Sequence, residues 1–397
     1  MNALFEPATL GRLQLRNRIL KAATFEGMSP RGLVSDALVD FHRAFAAGGV
    51  AMTTVAYCAV SPEGRGAPNE IVLRAEALPG LTRLADAVHA EGAAVSAQIG
   101  HAGPVGNARV THARALSASN GVSPLGTRHY AMTRADIERV TADFAHGAEI
   151  LLAAGFDAVE LHMGHHYLLN SFLSPRFNRR HDEYGGPVSN RVRLLRDVAR
   201  AVRDAVGDRM AVLAKWEMTD GVRRGLTLPD SIEAAALLEA DGTVDAFELT
   251  GGGSLANPMF LFRGDVPRQE FAATLPPVQR FGFRLVGRWF MRAYPFEEAY
   301  FQPQAREFRA RLQTPLVLLG GINKLATMQG AIDEGFDFVA LGRALLREPD
   351  LVNRLHAGSA TSGICIHCNK CVPTIYRGTH CVLVDAADRP GLRVLSD

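Results

Sequence analysis

The stretch AGFDAVELHMGHHYLLNSFLSP, residues 154–175, decides how the rest of the chain is read. Its apolar run FDAVELH (156–162) stops abruptly at His162, and His165, His166 and Tyr167 follow at once. Before it lies an amphipathic pattern, TRADIERVTADFAHGAEILLAAG, with Thr133 placed as N-cap, Asp136 and Glu138 in the first turn, and Gly155 as the stop. Helix, glycine, buried strand, polar strand end: this is one unit of α/β alternation.

The same unit recurs along the chain. Strand candidates are RILKAAT (18–24), VAMTTVA (50–56), AAVSAQI (93–99) and FDAVELH (156–162), then MAVLAK (210–215), VDAFELT (244–250), PLVLLG (315–320) and DFVALG (337–342). Each is almost continuously apolar, as parallel strands covered on both faces must be. Helical patterns that end in glycine separate many of them. Eight such units predict an α/β chain folded as a (β/α)8 TIM barrel over residues 1–357. The alternative is an open doubly wound sheet, but no G-x-G-x-x-G follows an early strand. Two segments stand outside the repeat. Residues 254–313 form an aromatic-rich insertion, read either as a helical hairpin packed on the barrel and partly lining its pocket, or as a lid or membrane-touching patch. Residues 358–397 form a Cys-rich tail.

Composition narrows the function. Of 397 residues, 47% are apolar and 21% charged, with net charge +2, so no polyanion partner such as nucleic acid is expected. No apolar segment reaches the ~20 residues of a membrane span, and the N-terminus lacks a signal pattern. A cytoplasmic protein with a small-molecule substrate is expected, and a homo-oligomer is compatible with the composition. Cys58 stands alone in an apolar run and reads as a small buried side chain, whereas Cys365, Cys368, Cys371 and Cys381 crowd together and read as metal or redox chemistry.

In such a barrel the site lies at the C-terminal ends of the strands. Gln98, His162 and Lys215 close three apolar runs there. Gly320–Gly321 and Gly342–Arg343 close the last two. Such glycines can merely turn the chain; the pair after the seventh run together with a glycine followed by arginine after the eighth favours a phosphate site. The histidines admit three readings: zinc, packing, or N–H donors. Zinc would need a further ligand that no nearby carboxylate supplies. As paired donors, His162 and His165 would stabilise charge developing on a substrate oxygen, with Tyr167 as general acid. Lys215 could instead form a Schiff base in an aldolase-like barrel, which requires a lowered pKa.

H-x-x-H-x-Y followed by LLNSFLSPRFNRRHDEYGGPVSNRVRLL (168–195) resembles the old yellow enzymes, FMN-dependent NAD(P)H:flavin oxidoreductases. LRNRILKAAT (15–24), AQIGHAG (97–103) and LGRALLREPDLV (341–352) extend the resemblance to about residues 3–356. The resemblance implies a (β/α)8 barrel holding FMN, with NAD(P)H as co-substrate, that reduces an activated alkene. It implies that Ala23, Thr24, Phe25 and Tyr57 line the flavin and that Gln98 bonds its pyrimidine edge. Lys215, where most members have arginine, would stabilise negative charge on the reduced flavin, and Gly320, Gly321, Gly342 and Arg343 would hold the phosphate. His162 and His165 would bind the activating oxygen, and Tyr167 would protonate the neighbouring carbon. Phe25 stands where many members have threonine or cysteine, and His166 and Tyr57 replace smaller residues, which implies a crowded pocket rim. The tail, through CIHCNKC (365–371), is similar to that of the iron–sulfur members, the dienoyl-CoA reductases and amine dehydrogenases. That similarity implies a [4Fe–4S] cluster on Cys365, Cys368, Cys371 and Cys381, and leaves open an amine demethylase or dehydrogenase that exports electrons through it; four thiolates within 17 residues equally admit zinc, or a reduced remnant without metal.

Overall fold

Eight of the apolar runs pair into one closed parallel barrel in the computed structural model, which describes residues 3–106, 108–123 and 126–391. The strands are β1 (Ile19–Lys21), β2 (Met52–Ala59), β3 (Ala94–Gly100) and β4 (Ala158–Met163), then β5 (Ala211–Glu217), β6 (Ala246–Thr250), β7 (Leu316–Leu319) and β8 (Phe338–Leu341). Each pairs with its successor, and β8 pairs back onto β1 through Val339↔Ile19, Ala340↔Leu20 and Leu341↔Lys21. The doubly wound alternative is thereby excluded, since it would leave two sheet edges open.

Around the strands run α1 (Asp36–Ala47), α2 (Leu78–His89), α3 (Arg134–Ala153) and α4 (Arg193–Val206), followed by α5 (Leu228–Ala240), α6 (Gln302–Arg309), α7 (Leu325–Asp333) and α8 (Leu351–His356). Thr133 and Asp136 form a reciprocal capping box at the start of α3, each satisfying a backbone N–H that the first turn leaves unpaired. Ser35 and Thr227 cap α1 and α5 by their side-chain oxygens, accepting from Leu38 N and Asp230 N.

Two apolar layers result. The larger lies between strands and helices; the smaller fills the barrel's lower interior with Leu20, Leu213, Val317, Phe338 and their neighbours. A hairpin of Ala8–Leu10 and Leu13–Leu15 closes that lower end, placing Leu10 and Leu15 in the same cluster. Side chains alternate in and out along each strand, so Gln98, Glu160, His162, Lys215, Glu217, Glu248 and Thr250 all face the upper interior. In β2 the register slips by one residue between Val55 and Cys58, and this bulge turns Tyr57 toward the mouth.

The segment 254–313 is not all addition. Its first part carries short helices Pro258–Leu261 and Arg268–Thr274 and a longer one, Pro277–Phe290, but Gln302–Arg309 is α6, the ordinary helix between β6 and β7. An aromatic run with no glycine stop hides that boundary in the sequence. The tail folds back over the barrel mouth, where Thr379 N donates to Glu26 O (2.8 Å), Gly363 N to Asn323 O (2.8 Å) and Asp265 N to His367 O (3.1 Å). Among the described residues no helix is long and apolar enough to cross a membrane.

Candidate active site

The upper interior opens into a cavity of about 270 Å³, close to the lower end of the ~300–1,000 Å³ usual for small-molecule clefts. Its wall takes residues from nearly every strand end: Ala23, Thr24 and Phe25 after β1, Tyr57 from β2, Gln98 from β3, His162, His165 and Tyr167 at and after β4, Lys215 from β5, Gly320 and Gly321 after β7, Gly342 and Arg343 after β8. The structure therefore brings together every pocket residue singled out in the sequence. His166 is the exception among the expected rim residues. It is wholly buried, packs against Phe177 with ring centroids 4.6 Å apart, and does not reach the cavity.

His162, His165 and Tyr167 form one continuous wall. The Tyr167 ring stacks on His162 at 4.3 Å, and His165 meets His162 edge-on at 5.1 Å. Burial holds His162 well below the usual imidazole pKa and pushes His165 down to about 3, with the charge of Lys215 adding to both. Both rings are therefore neutral at any physiological pH. Burial drives the Tyr167 phenol well above its ordinary value, so it stays protonated.

Further contacts set the direction of the His165 ring. Its Nε2 lies 2.9 Å from Thr250 Oγ1, and its backbone N–H donates to Glu217 Oε2 at 2.5 Å. A threonine hydroxyl donating to Nε2 leaves the proton on Nδ1, the tautomer able to donate elsewhere. At His162, Gly164 N–H approaches Nδ1 at 3.4 Å, which leaves Nε2 as the N–H. Thr250 and Glu217 were not singled out in the sequence. Thr250 ends β6 and faces the mouth, the one signal that could have marked it.

Lys215 is not a strand end, because β5 continues through Trp216 and Glu217. Its ammonium sits between two carboxylates, 3.3 Å from Glu160 Oε1 and in closer contact with Glu248. Burial opposes the charge, but the two carboxylates outweigh it and the pKa is raised. An ammonium held this way is no amine nucleophile, so the Schiff-base aldolase reading falls. Gln98 spends one N–H on Glu160 Oε2 (2.6 Å) and keeps its amide oxygen and second N–H.

At the opposite side Gly320 (φ 112) and Gly321 (φ 72) present bare backbone. A Cβ on either would strike the Phe301 or Tyr300 ring at 2.5 Å, so no other residue fits. Arg343 extends beside them, donating to Arg263 O (3.0 Å) and to Asn369 Oδ1 of the tail. Among the described residues no Asp or Glu lines the cavity. An elongated ligand with an apolar middle and electron-rich ends suits this wall: Lys215 and Gln98 face one region and Arg343 another. These residues fit FMN.

The tail makes a second, smaller cavity lined by Cys365, Cys368, Cys371 and Cys381 with Arg343 and Arg347. Cys371 belongs to both cavities. Burial raises the Cys371 thiol to about 12 and raises Cys365 as well, with the neighbouring thiols adding to each. Among the described residues no three or more His, Cys, Asp or Glu side chains converge as a metal ion's ligands would.

The family of NADH:flavin oxidoreductases / NADH oxidases matches residues 3–249. A 4,4'-dithiodibutanoate disulfide reductase of Rhodococcus erythropolis is 55% identical over 386 residues, 97% of this chain and 96% of that protein. A metal reductase of Desulforamulus reducens is 31% identical over 381 residues, which are 95% of this chain but only 52% of the relative. Among solved structures, a 2-naphthoyl-CoA reductase complex superposes with TM-score 0.83 at 23% identity, covering 98% of this chain and 57% of the other, a likeness of fold. With the closed barrel and its cavity, these matches place the chain in the NADH:flavin oxidoreductase / NADH oxidase family, the FMN-dependent old yellow enzymes.

Proposed function

We propose that this chain reduces an activated alkene, such as an α,β-unsaturated carbonyl compound, with electrons from NAD(P)H. The observation that carries the proposal is the wall of His162, His165 and Tyr167: two neutral N–H donors and one protonated phenol in a largely apolar cavity. When bound, FMN would supply the hydride-transfer chemistry between NAD(P)H and the acceptor. Gln98 and Lys215 would hold the flavin's polar edge, with Thr24 and Phe25 beside it, and Arg343 with the bare backbone of Gly320, Gly321 and Gly342 would hold the phosphate. His162 Nε2–H and His165 Nδ1–H would grip the acceptor's oxygen and polarise the conjugated double bond. Tyr167 would deliver the proton to the carbon that gathers negative charge. In balance, one hydride and one proton add across the C=C bond as NAD(P)H becomes NAD(P)+.

A second reading, reduction of an organic disulfide, is favoured by the relative of 55% identity. There the hydride cleaves an S–S bond, and one added proton completes two thiols. An amine substrate is disfavoured, because the donors left beside the flavin, His162, His165 and Tyr167, suit an oxygen acceptor and include no carboxylate to pair an ammonium. For the tail we propose a [4Fe–4S] cluster on its four cysteines. A single zinc would need its thiolates drawn to one point at ~2.3 Å, whereas a cubane carries its ligands on separate corners.

The test uses the purified protein as expressed. Flavin bands near one FMN per chain, iron and acid-labile sulfide near four each, and NAD(P)H-dependent turnover of 2-cyclohexenone are expected. Turnover of 4,4'-dithiodibutanoate with none of the enone would overturn the alkene reading, and iron-free protein with zinc would overturn the cluster.

Thr250 supplies a finer check. Thr250→Val keeps the shape but frees His165 to change tautomer. Loss of one neutral hydrogen bond predicts a fall of roughly tenfold in kcat/KM for the enone, carried by KM, with Thr250→Ser restoring it. Equal kinetics in Thr250→Val would mean that the hydroxyl does not orient the ring.

A further inference from the structure

The insertion carries a surface that the chemistry of the pocket does not use. On the helix Pro277–Phe290, Phe281 is 67% exposed, Leu285 70% and Trp289 86%. Their spacing of four places them in one stripe along the helix. The opposite face is spoken for: Phe283 and Phe290 pack with Met259, Phe271 and Met291 in a small core of the insertion's own. The helix is thus anchored by one face and presents a large aromatic and aliphatic ridge on the other, where soluble surfaces rarely gather such residues.

Charge says what meets the ridge. Residues 271–296 contain Arg280, Arg284, Arg288 and Arg292 and no Asp or Glu, in a chain whose net charge is only +2. Arg280 turns back onto the carbonyls of Ala272, Ala273 and Leu275. Arg284, Arg288 and Arg292 are exposed, and among the described residues no carboxylate forms an ion pair with them. On a helical wheel Arg284 and Arg288 lie next to Phe281 and Leu285, so the ridge is edged by cations. A second copy docked across a twofold axis on this face would set arginine against arginine with no carboxylate between them. Apolar side chains headed by tryptophan and bordered by arginines are the pattern of a helix lying in the headgroup layer of an anionic bilayer.

We infer that the ridge of Phe281, Leu285 and Trp289, with Arg284, Arg288 and Arg292, docks the protein reversibly on an anionic lipid surface. The insertion also sends Ser254, Leu261 and Phe262 into the pocket wall, so the docked element is continuous with the site. The inference does not depend on which acceptor the pocket takes.

The chain provides its own reporter. Of its two tryptophans, Trp216 is fully buried, so a change in emission on adding vesicles reports Trp289. The FMN-loaded protein is mixed with vesicles of equal parts phosphatidylcholine and phosphatidylglycerol, and with vesicles of phosphatidylcholine alone. Cosedimentation with the anionic vesicles, a blue shift of emission, and loss of both at high salt are expected. Replacing Arg284, Arg288 and Arg292 by Gln together should weaken partitioning on the order of a hundredfold, and Trp289→Ser should weaken cosedimentation with the anionic vesicles while the flavin spectrum stays as it was. No cosedimentation at low salt, equal binding to both vesicles, or a stable dimer that Trp289→Ser converts to monomer without any lipid binding would each overturn the inference.

Discussion

Replacing His162 and His165 together by alanine is expected to leave FMN bound and NAD(P)H oxidation by the flavin unchanged, while slowing enone reduction about a thousandfold or more. Removal of one preorganised donor to a developing oxyanion typically costs ~10²–10³ in rate, and two donors acting on one oxygen do not add simply. The site explains why the loss should be large. Both rings are buried and neutral, so each N–H works in a medium of low polarity without an ionic competitor. Stopped-flow measurement of the two half-reactions separates the outcomes; an unchanged oxidative half-reaction would remove both histidines from the mechanism. The same burial fixes the pH dependence. An ordinary imidazole gains its proton near pH 6.5, but here the charged form is disfavoured and protonation is moved down to about 3 at His165. The enone kcat/KM should therefore show no histidine limb between about pH 5 and 8.

Tyr167→Phe is the second large effect and the one that separates the two acceptors. Hydride addition to an enone leaves a carbanion that must be protonated, and removal of a positioned general acid predicts a loss of ~10²–10⁴ in the oxidative half-reaction. Hydride attack on a disulfide instead releases a thiolate, stable near neutral pH because a free thiol titrates at ~8.5. Tyr167→Phe should thus cripple enone reduction and barely touch disulfide reduction. Flavin reduction by NAD(P)H should be normal in either case. If that step slows, the phenol serves the nicotinamide rather than the acceptor.

Why so much of the site could be read beforehand follows from the barrel itself. A strand buried on both faces must be apolar along its length, so a polar residue near its end marks the mouth; Gln98, His162 and Lys215 were visible for that reason. Where a charged residue is itself buried, the same reasoning misleads. Glu217 reads as the loop after β5, yet it is inside the barrel and holds the His165 backbone. The start of α6 was hidden because its first turn is polar and follows an aromatic run with no break.

The amino-acid sequence by itself determined the alternation of buried strands with capped helices, hence the closed barrel, and it determined which polar side chains stand at the rim. Those features are local: a capping box spans four residues, and a strand's burial pattern is written in the strand. Only the tertiary structure decided that Lys215 spends its charge on Glu160 and Glu248, that Thr250 Oγ1 meets His165 Nε2, and that the tail bends back to lay Cys371 against the pocket. These contacts join residues from 33 to 85 positions apart for the side chains and bring Thr379 to Glu26 across most of the chain. Nothing in either partner's neighbourhood records the other; they meet because closing β8 onto β1 brings every strand end to one rim.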